Sequence, residues 1–391
     1  MTNVLVTVLG KSRLDKETGY RKARYRFDDG VVQDTPFFGL ALQAFVRPDR
    51  MIILGTAGSM WDVFIEHHAN ADAALEEARL KLMEAVQQEA VDQTLLDKLA
   101  PLIENCLGTP AKCLLIPYAK NMEEQVEVLR QLAANIKPEE RVILDVTHGF
   151  RHLPLLSLVA AQYLEKVKGN RIDDIYYGAL EMTTEGETPV LKLTGLLRLM
   201  AWVQALAAYE KDGDYGRFGV LLKQEGMSEV DTGQIEKAAF FERTTNPVKA
   251  HQTLSGVYSK IENLQTPIAS LFKEELAKRI SWFRRPHRDE RERELAASYL
   301  GRKDYLRAAI YLQEAYISKT ARLQNEEAND FDVREQIRTK AKADNRHFDK
   351  LTRLRNAMAH GIQPYDRNTL AEIQDEAKLR RAIEEISKHL V

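Results

Sequence analysis

Val142-Ile143-Leu144-Asp145-Val146-Thr147-His148-Gly149-Phe150-Arg151 sets large apolar residues around one aspartate and then breaks into a small polar turn. Such a run predicts a buried strand ending in a loop. His152-Leu153-Pro154-Leu155-Leu156 follows, and the apolar pattern carries a helix on to Val167, with Pro154 near its start. Proline is tolerated in a first helical turn, where its missing N–H would have had no intrahelical partner. A strand, a tight turn and a helix start together present free backbone N–H groups above the strand's C-terminal edge. That setting suits anions and phosphates.

The same device recurs on both sides of this stretch. Val4 to Leu9 reads as a strand ending at Gly10-Lys11-Ser12-Arg13. Tyr20 to Phe27, with Asp28-Asp29-Gly30 after it, is a hairpin signal, and Val31 and Val32 begin the return. Thr35-Pro36 opens a helix to Val46, and Arg50 to Leu54 is another strand, giving way to Gly55-Thr56-Ala57-Gly58-Ser59 and a helix from about Trp61. Amphipathic helices fill Asp72 to Leu107 with an interruption at Pro101, and Cys113 to Pro117 is a strand with Tyr118 to Asn121 as its exit loop. A helix from Glu123 to Ile136 precedes the central stretch, and Asp174 to Gly178 closes the series as a last strand. Strands alternating with helices predict a parallel sheet covered on both faces, with ligands bound outside the strands' C-terminal ends. Neither a full G-x-G-x-x-G nor a Walker A motif occurs, which argues against dinucleotide and NTPase readings. His148 can serve there as a ligand contact or as a hydrogen-bonded structural histidine, and Asp145 as a contact or as a cap of the turn.

A chain of 391 residues with 44% hydrophobic and 29% charged residues suits two or three soluble domains. With a net charge of −2, any nucleic-acid contact must come from local patches. Cys106 and Cys113 have no metal spacing, and a reducing cytoplasm is the simpler expectation, with a local disulfide between them left open. The N-terminal residues lack a basic leader region, and no apolar run nears the roughly 18 residues needed to cross a bilayer. We therefore expect a cytoplasmic protein with no membrane contact and no metal or cofactor motif.

From Val190 onward the strand signals stop, which places a domain boundary near residue 190 and a helical region over 191–391. Leu222 to Gly233 reads as a loop, and Gln234 to Arg243, Pro247 to Gln265 and Pro267 to Phe283 as amphipathic helices. Arg284 to Glu294 is a dense charge run after Trp282 and Phe283. A solvated loop and helix start is the plainer reading, and a basic strip for RNA phosphates the second. Leu295 to Arg322 is a helix pair broken at Gly301, and a helix ends at His360-Gly361, with Pro364 as a further stop.

Asp145-Val146-Thr147-His148-Gly149 resembles the D-x-T-H-G signature of CRISPR-associated proteins from type III systems, within their Rossmann-like CARF domain. Leu9-Gly10 and Leu54-Gly55-Thr56-Ala57-Gly58-Ser59-Met60-Trp61 fall where that family carries its ligand loops. The resemblance covers about 1–190. It implies a sensor that dimerises and binds a cyclic oligoadenylate across the two-fold axis, with tetra-adenylate favoured. By position, Gly10, Ser12, Thr56, Ser59, Thr147, His148, Gly149 and Arg151 are the expected ligand contacts.

Arg355-Asn356-Ala357-Met358-Ala359-His360 resembles the R-N-x-x-x-H signature of HEPN ribonucleases, over about 240–391. The resemblance implies metal-independent cleavage of single-stranded RNA by a homodimer or higher homo-oligomer. Arg355, Asn356 and His360 are then the catalytic residues, and Glu314 a possible helper. On one helix Asn356 and His360 share a face, whereas Arg355 and His360 stand roughly 140° apart, so a single helix does not converge all three on one phosphate. Pairing two such helices in a dimer answers the difficulty. The fold class expected is α/β plus all-α, a Rossmann-like sensor followed by a helical HEPN-type domain. The alternatives are a non-catalytic nucleotide-sensing regulator, or a sensor domain that also degrades its own cyclic activator.

Overall fold

The computed structural model describes residues 2–11, 14–15, 19–66, 73–361 and 366–390. Ser12 and Pro364 lie outside the described residues. The chain divides into two compact units, Met1–Leu197 and Arg198–Val391.

In the first unit the strands are β1 (Asn3–Leu9), β2 (Leu14–Asp15), β3 (Gly19–Tyr20), β4 (Ala23–Arg26), β5 (Val32–Thr35), β6 (Arg50–Gly55), β7 (Ala111–Leu115), β8 (Arg141–Asp145), β9 (Arg171–Gly178) and β10 (Glu187–Lys192). Eight of them form one sheet in the order β5-β4-β10-β9-β8-β1-β6-β7. The run β9-β8-β1-β6-β7 is parallel throughout. β10 then joins antiparallel to β9, and β4 and β5 form the expected hairpin beyond it. From β1 the chain steps outward through β6 to β7, then crosses back to β8 on the other side of β1. The strand order reverses there, a switch point at whose strand ends ligands bind in open α/β sheets.

Side chains alternate across this sheet because the strand period is two. Val4, Val6 and Val8 join Ile52, Leu54, Val142 and Leu144 in one core. It is covered by α5 (Met122–Asn135) and α6 (His152–Tyr163), through Leu132, Leu153 and Ala160. Leu5, Leu9, Met51 and Ile53 face the opposite core. That core is covered by α1 (Phe38–Val46), α2 (Val63–Glu66), α3 (Ala73–Gln87) and α4 (Gln93–Leu107). With helices on both faces, the strand ends are the open part of the sheet among the described residues.

The helix expected from about Trp61 begins at Val63, after Trp61, which is buried in the core and donates its indole N–H to the Thr56 carbonyl at 2.9 Å. Two local expectations are corrected. α4 runs through Pro101 without a break, its cap set by Asp92 accepting from the Leu95 N–H and its end by Gly108 at φ +63°. A further strand, β10, follows the one expected to be last and runs past Val190 to Lys192, pairing with β9 from Val190. Cys106 and Cys113 are both free thiols. Among the described residues no helix is long and apolar enough to cross a membrane.

The second unit is helical. Its elements are α7 (Thr194–Asp212), α8 (Phe218–Gln224), α9 (Glu229–Arg243), α10 (Pro247–Leu254), α11 (Tyr258–Glu262), α12 (Pro267–Arg279), α13 (Arg288–Gly301), α14 (Tyr305–Leu323), α15 (Phe331–Asp344), α16 (Arg346–His360), α17 (Arg367–Ile373) and α18 (Glu376–Leu390). The loop expected over Leu222 to Gly233 is instead the end of α8 and the first turn of α9, started by Ser228, whose hydroxyl accepts the Asp231 N–H. Thr232, Ile235, Ala238, Ala239 and Glu242 of α9 are buried, so tertiary packing holds a helix that its glycine and polar residues do not favour. α14 and α16 pack antiparallel, with Tyr316 against Phe348 at 5.1 Å between ring centroids and Gln313 donating to Thr352 at 2.7 Å.

Candidate functional site

At the switch point the backbones of two loops nearly touch. A Cβ on Gly10 would lie 2.9 Å from the Gly149 nitrogen, and one on Gly149, whose φ is +92°, would lie 2.8 Å from Val8 Cγ1. Only residues without a side chain let the β1 and β8 loops approach this closely. Beside them is a cavity of about 310 Å3, lined among others by Gly10, Lys11, Thr56, Tyr118, Gly149 and Phe150. Gly10, Thr56, Ser59 and Gly149 all border it, as the sequence placed them.

The polar groups beneath the cavity are largely engaged with each other. Ser59 donates to the Leu9 carbonyl at 2.7 Å and accepts the Thr56 N–H at 2.9 Å, which ties the β6 loop to the end of β1. Thr147 accepts the Gly178 N–H at 2.8 Å and so joins the β8 loop to β9. Asp145, fully buried, accepts from the Thr7 hydroxyl at 2.6 Å and from the Thr147 N–H at 2.8 Å, and thereby caps the turn. His148 Nε2 accepts the Phe38 N–H at 3.0 Å, at the start of α1. An accepting Nε2 requires the neutral ring with its proton on Nδ1. Burial also pulls the His148 pKa down to about 4. Ser59, Thr147 and His148 therefore set the loops, while Gly149 and Arg151 are exposed above them.

In the second unit Arg355 and Asn356 lie just before the last turn of α16, and His360 is its final residue, exposed, with Gly361 capping at φ +68° through its N–H to the Ala357 carbonyl. Arg355 Nη2 donates to Asn356 Oδ1 at 2.7 Å, and Arg355 Nε is buried without a hydrogen-bond partner. The two neighbours thus act as one unit, holding a guanidinium near the helix end. Glu314 is engaged elsewhere. Arg334 and Arg338 both bond its carboxylate. The α14–α16 register also sets it near residue 350, more than a turn from Arg355. Its role is to lock α14 to α15.

The sequence matches the family model described as the CRISPR system endoribonuclease Csx1, CARF domain, over residues 4–181. This is the span that carries the reversed strand order and the paired glycine loops. Residues 4–181 are a CARF domain of the CRISPR-associated Csx1 type. The chain is also 25% identical over 249 residues to the CRISPR-associated protein MJ1674 of Methanocaldococcus jannaschii, an alignment spanning 58% of this chain and 39% of that relative.

The CARF cavity has contacts that sequence reasoning did not single out. Lys11 Nζ pairs with Glu89 Oε1 at 2.7 Å, and the Tyr118 hydroxyl donates to Glu89 Oε2 at 3.1 Å. Glu89 stands at φ +52° between α3 and α4, so nothing local in the sequence marked it. Phe150 and Tyr118 pack with ring centroids 5.7 Å apart, giving the rim an aromatic wall, and both belong to loops already recognised as strand exits.

Asp145 gives the CARF domain a distinctive pH dependence. Burial pushes its carboxyl up to about 6, against hydrogen bonds from Thr7 and Thr147 that pull it down. Between about pH 4 and 6 the folded state keeps a proton that the unfolded chain has lost, so stability falls as pH rises through that window and is level above it. The ionised carboxylate costs about 3 kcal/mol near neutral pH. Asp145→Asn removes this titration, and urea unfolding from pH 4 to 7 should show the parent losing stability relative to the variant. Parallel curves for the two proteins would refute the assignment.

Proposed function

We propose that this chain is a ribonuclease of type III CRISPR defence, switched on when its CARF domain binds a cyclic oligoadenylate. The observation that carries the reading is the pairing, in one chain, of a CARF cavity at the strand ends with an Arg355-Asn356 unit and an exposed His360 at the end of one helix. The cavity suits a ring of nucleotides. Backbone N–H groups at the start of α6 and the exposed cation Arg151 favour phosphate, Lys11 can reach it on leaving Glu89, and Tyr118 and Phe150 offer faces on which adenine can stack. Tetra-adenylate is the favoured ring.

A homodimer follows from two arguments. A two-fold ring is matched by a two-fold protein site, and one α16 helix does not converge Arg355 and His360 on the same phosphate. Exposed Leu155, Val159 and Tyr163 of α6, with Met122 and Val126 of α5, supply an apolar surface for such self-association. In the cleavage step the RNA 2′-hydroxyl attacks the adjacent phosphorus and the bond to the 5′-oxygen breaks. A 2′,3′-cyclic phosphate and a 5′-hydroxyl are left. His360 exchanges the proton, Arg355 balances the developing charge on the phosphate, and Asn356 orients Arg355. DNA lacks the nucleophile, so the substrate is RNA. Ring binding favours the dimer arrangement in which the paired helices align, which makes the coupling allosteric.

Degradation of the ring by the sensor itself receives less support, since the Ser59 hydroxyl and His148 Nε2 are committed to backbone groups. The test is cleavage of a fluorescent single-stranded RNA in EDTA, with and without cyclic tetra-adenylate. Cleavage that requires the ring and leaves a cyclic phosphate is the expected result. Binding of the tetra- or hexa-adenylate without any cleavage would overturn the nuclease reading in favour of a non-catalytic regulator.

A further inference from the structure

The charge run from Arg284 to Glu294 separates into paired and unpaired cations. Arg284 pairs with Glu262, Arg285 with Glu294 at 2.6 Å, and Arg288 with Glu292 at 2.7 Å. Arg291 and Arg293 make no ion pair among the described residues. Arg293 is exposed, as an unpaired surface cation ordinarily is, whereas Arg291 is half-buried and forms part of the wall of a cavity of about 250 Å3 within the helical unit. Glu292, Asp289 and Glu290 act on Arg291 only through space, and a half-buried arginine with no carboxylate bonded to it is an unusual arrangement.

The cavity wall explains what the charge is for. Its polar lining is His251 and Gln252 of α10, Arg288 and Arg291 of α13, and Asn329 from the loop before α15. No carboxylate lines it. Arg288 is fixed in place, Nη1 donating to the Ala328 carbonyl at 2.9 Å and to Asn329 Oδ1 at 2.8 Å. Arg291 is held from behind by two long bonds of 3.3 Å, from Nε to the His287 carbonyl and from Nη2 to the Pro286 carbonyl. These use only part of its five-donor capacity. His251 belongs to a stack of rings, lying 4.7 Å from Phe283, which lies 4.6 Å from Tyr258. The larger cavity of this unit, about 460 Å3, has a different character, because Glu210, Glu275 and Glu294 offset Lys278, Arg279 and Arg302 in its wall.

We infer that the cavity between α10 and α13 is a phosphate-binding site that holds the backbone of the single-stranded RNA substrate. Arg291 supplies a charge to which no carboxylate is bonded, Arg288, Gln252 and Asn329 supply further donors, and a neighbouring base can extend the ring stack at His251. This rests on the reading of the chain as a ribonuclease for the identity of the ligand. The anion site itself does not.

Two measurements on the full chain separate these points. The first is anisotropy of a fluorescent 2′-O-methyl RNA, which binds without being cut. Arg291→Gln should weaken binding about fivefold and lower the slope of affinity against salt by about one, Arg291→Lys should retain most of the affinity, and Arg293→Gln should change neither. The second follows the His251 imidazole resonance during titration with pyrophosphate, where a shift in the parent that Arg291→Gln abolishes is expected. Equal losses in Arg291→Gln and Arg293→Gln, or a His251 resonance indifferent to pyrophosphate, overturn the proposal. A responsive His251 in a chain that never cuts RNA would instead remove the ribonuclease reading and leave the anion site standing.

Discussion

His360→Ala should lower ring-activated RNA cleavage by roughly 1,000-fold while leaving ring affinity unchanged. His360 is exposed at the end of α16, and its side chain is not needed for the cap, which Gly361 makes through its own backbone. The variant therefore keeps the fold, and its loss reads out chemistry. Arg355→Ala should cost about as much, roughly 100- to 1,000-fold, since it removes the charge opposite the transition state. Arg355→Lys should not rescue it. A single ammonium cannot both bond Asn356 Oδ1, as Arg355 Nη2 does at 2.7 Å, and present a planar fork to phosphate. Cleavage and ring binding measured on the same preparations decide the matter. Activity of His360→Ala within a few-fold of the parent would remove α16 as the catalytic helix.

What the sequence made legible was whatever a local pattern encodes. The parallel strands announced themselves as short apolar runs ending at glycine or hydroxyl-bearing turns, because a strand buried on both faces has no polar positions to dilute it. β10 escaped notice because Glu187-Thr188-Pro189 is half polar and contains a proline, and its place in the sheet comes from pairing with β9 and β4. α8 and the start of α9 were hidden by Gly226 and Gly233, although Ser228 followed by Asp231 was a usable capping signal.

The site divides in the same way. Gly10 and Gly149 could be placed from strand ends alone, since strand order brings those ends together. The partners of His148 and Ser59 could not, because the Phe38 N–H is 110 residues away and the Leu9 carbonyl 50 residues away. Residue type suggested that these side chains faced the ligand, and tertiary bonding has them hold the loops that border the cavity. Glu89 shows the limit most plainly. It reaches Lys11 and Tyr118 only because the whole sheet places them together.

Gly149→Ala should weaken ring binding by about 30-fold, or about 2 kcal/mol, while leaving α16 intact. Two independent costs converge on this one methyl group. A φ of +92° lies outside the region that alanine adopts without strain, at roughly 1–3 kcal/mol. The added Cβ would also stand 2.8 Å from Val8 Cγ1 and 3.1 Å from Leu153 Cδ1. Val8 is buried in β1 and Leu153 in α6, so neither can withdraw without opening the core beneath the cavity. The β8 loop must therefore lift. Doing so moves Gly149 from its place in the cavity wall and pulls on Thr147 and His148, which are bonded to Gly178 and Phe38. The parent and variant should differ in the ring concentration needed for half-maximal cleavage, and agree in the rate reached when ring is saturating. This is the reverse of the His360→Ala pattern, in which the concentration dependence is kept and the rate is lost. If Gly149→Ala bound the ring as tightly as the parent does, the cavity beside the β1 and β8 loops would not be where the activator sits.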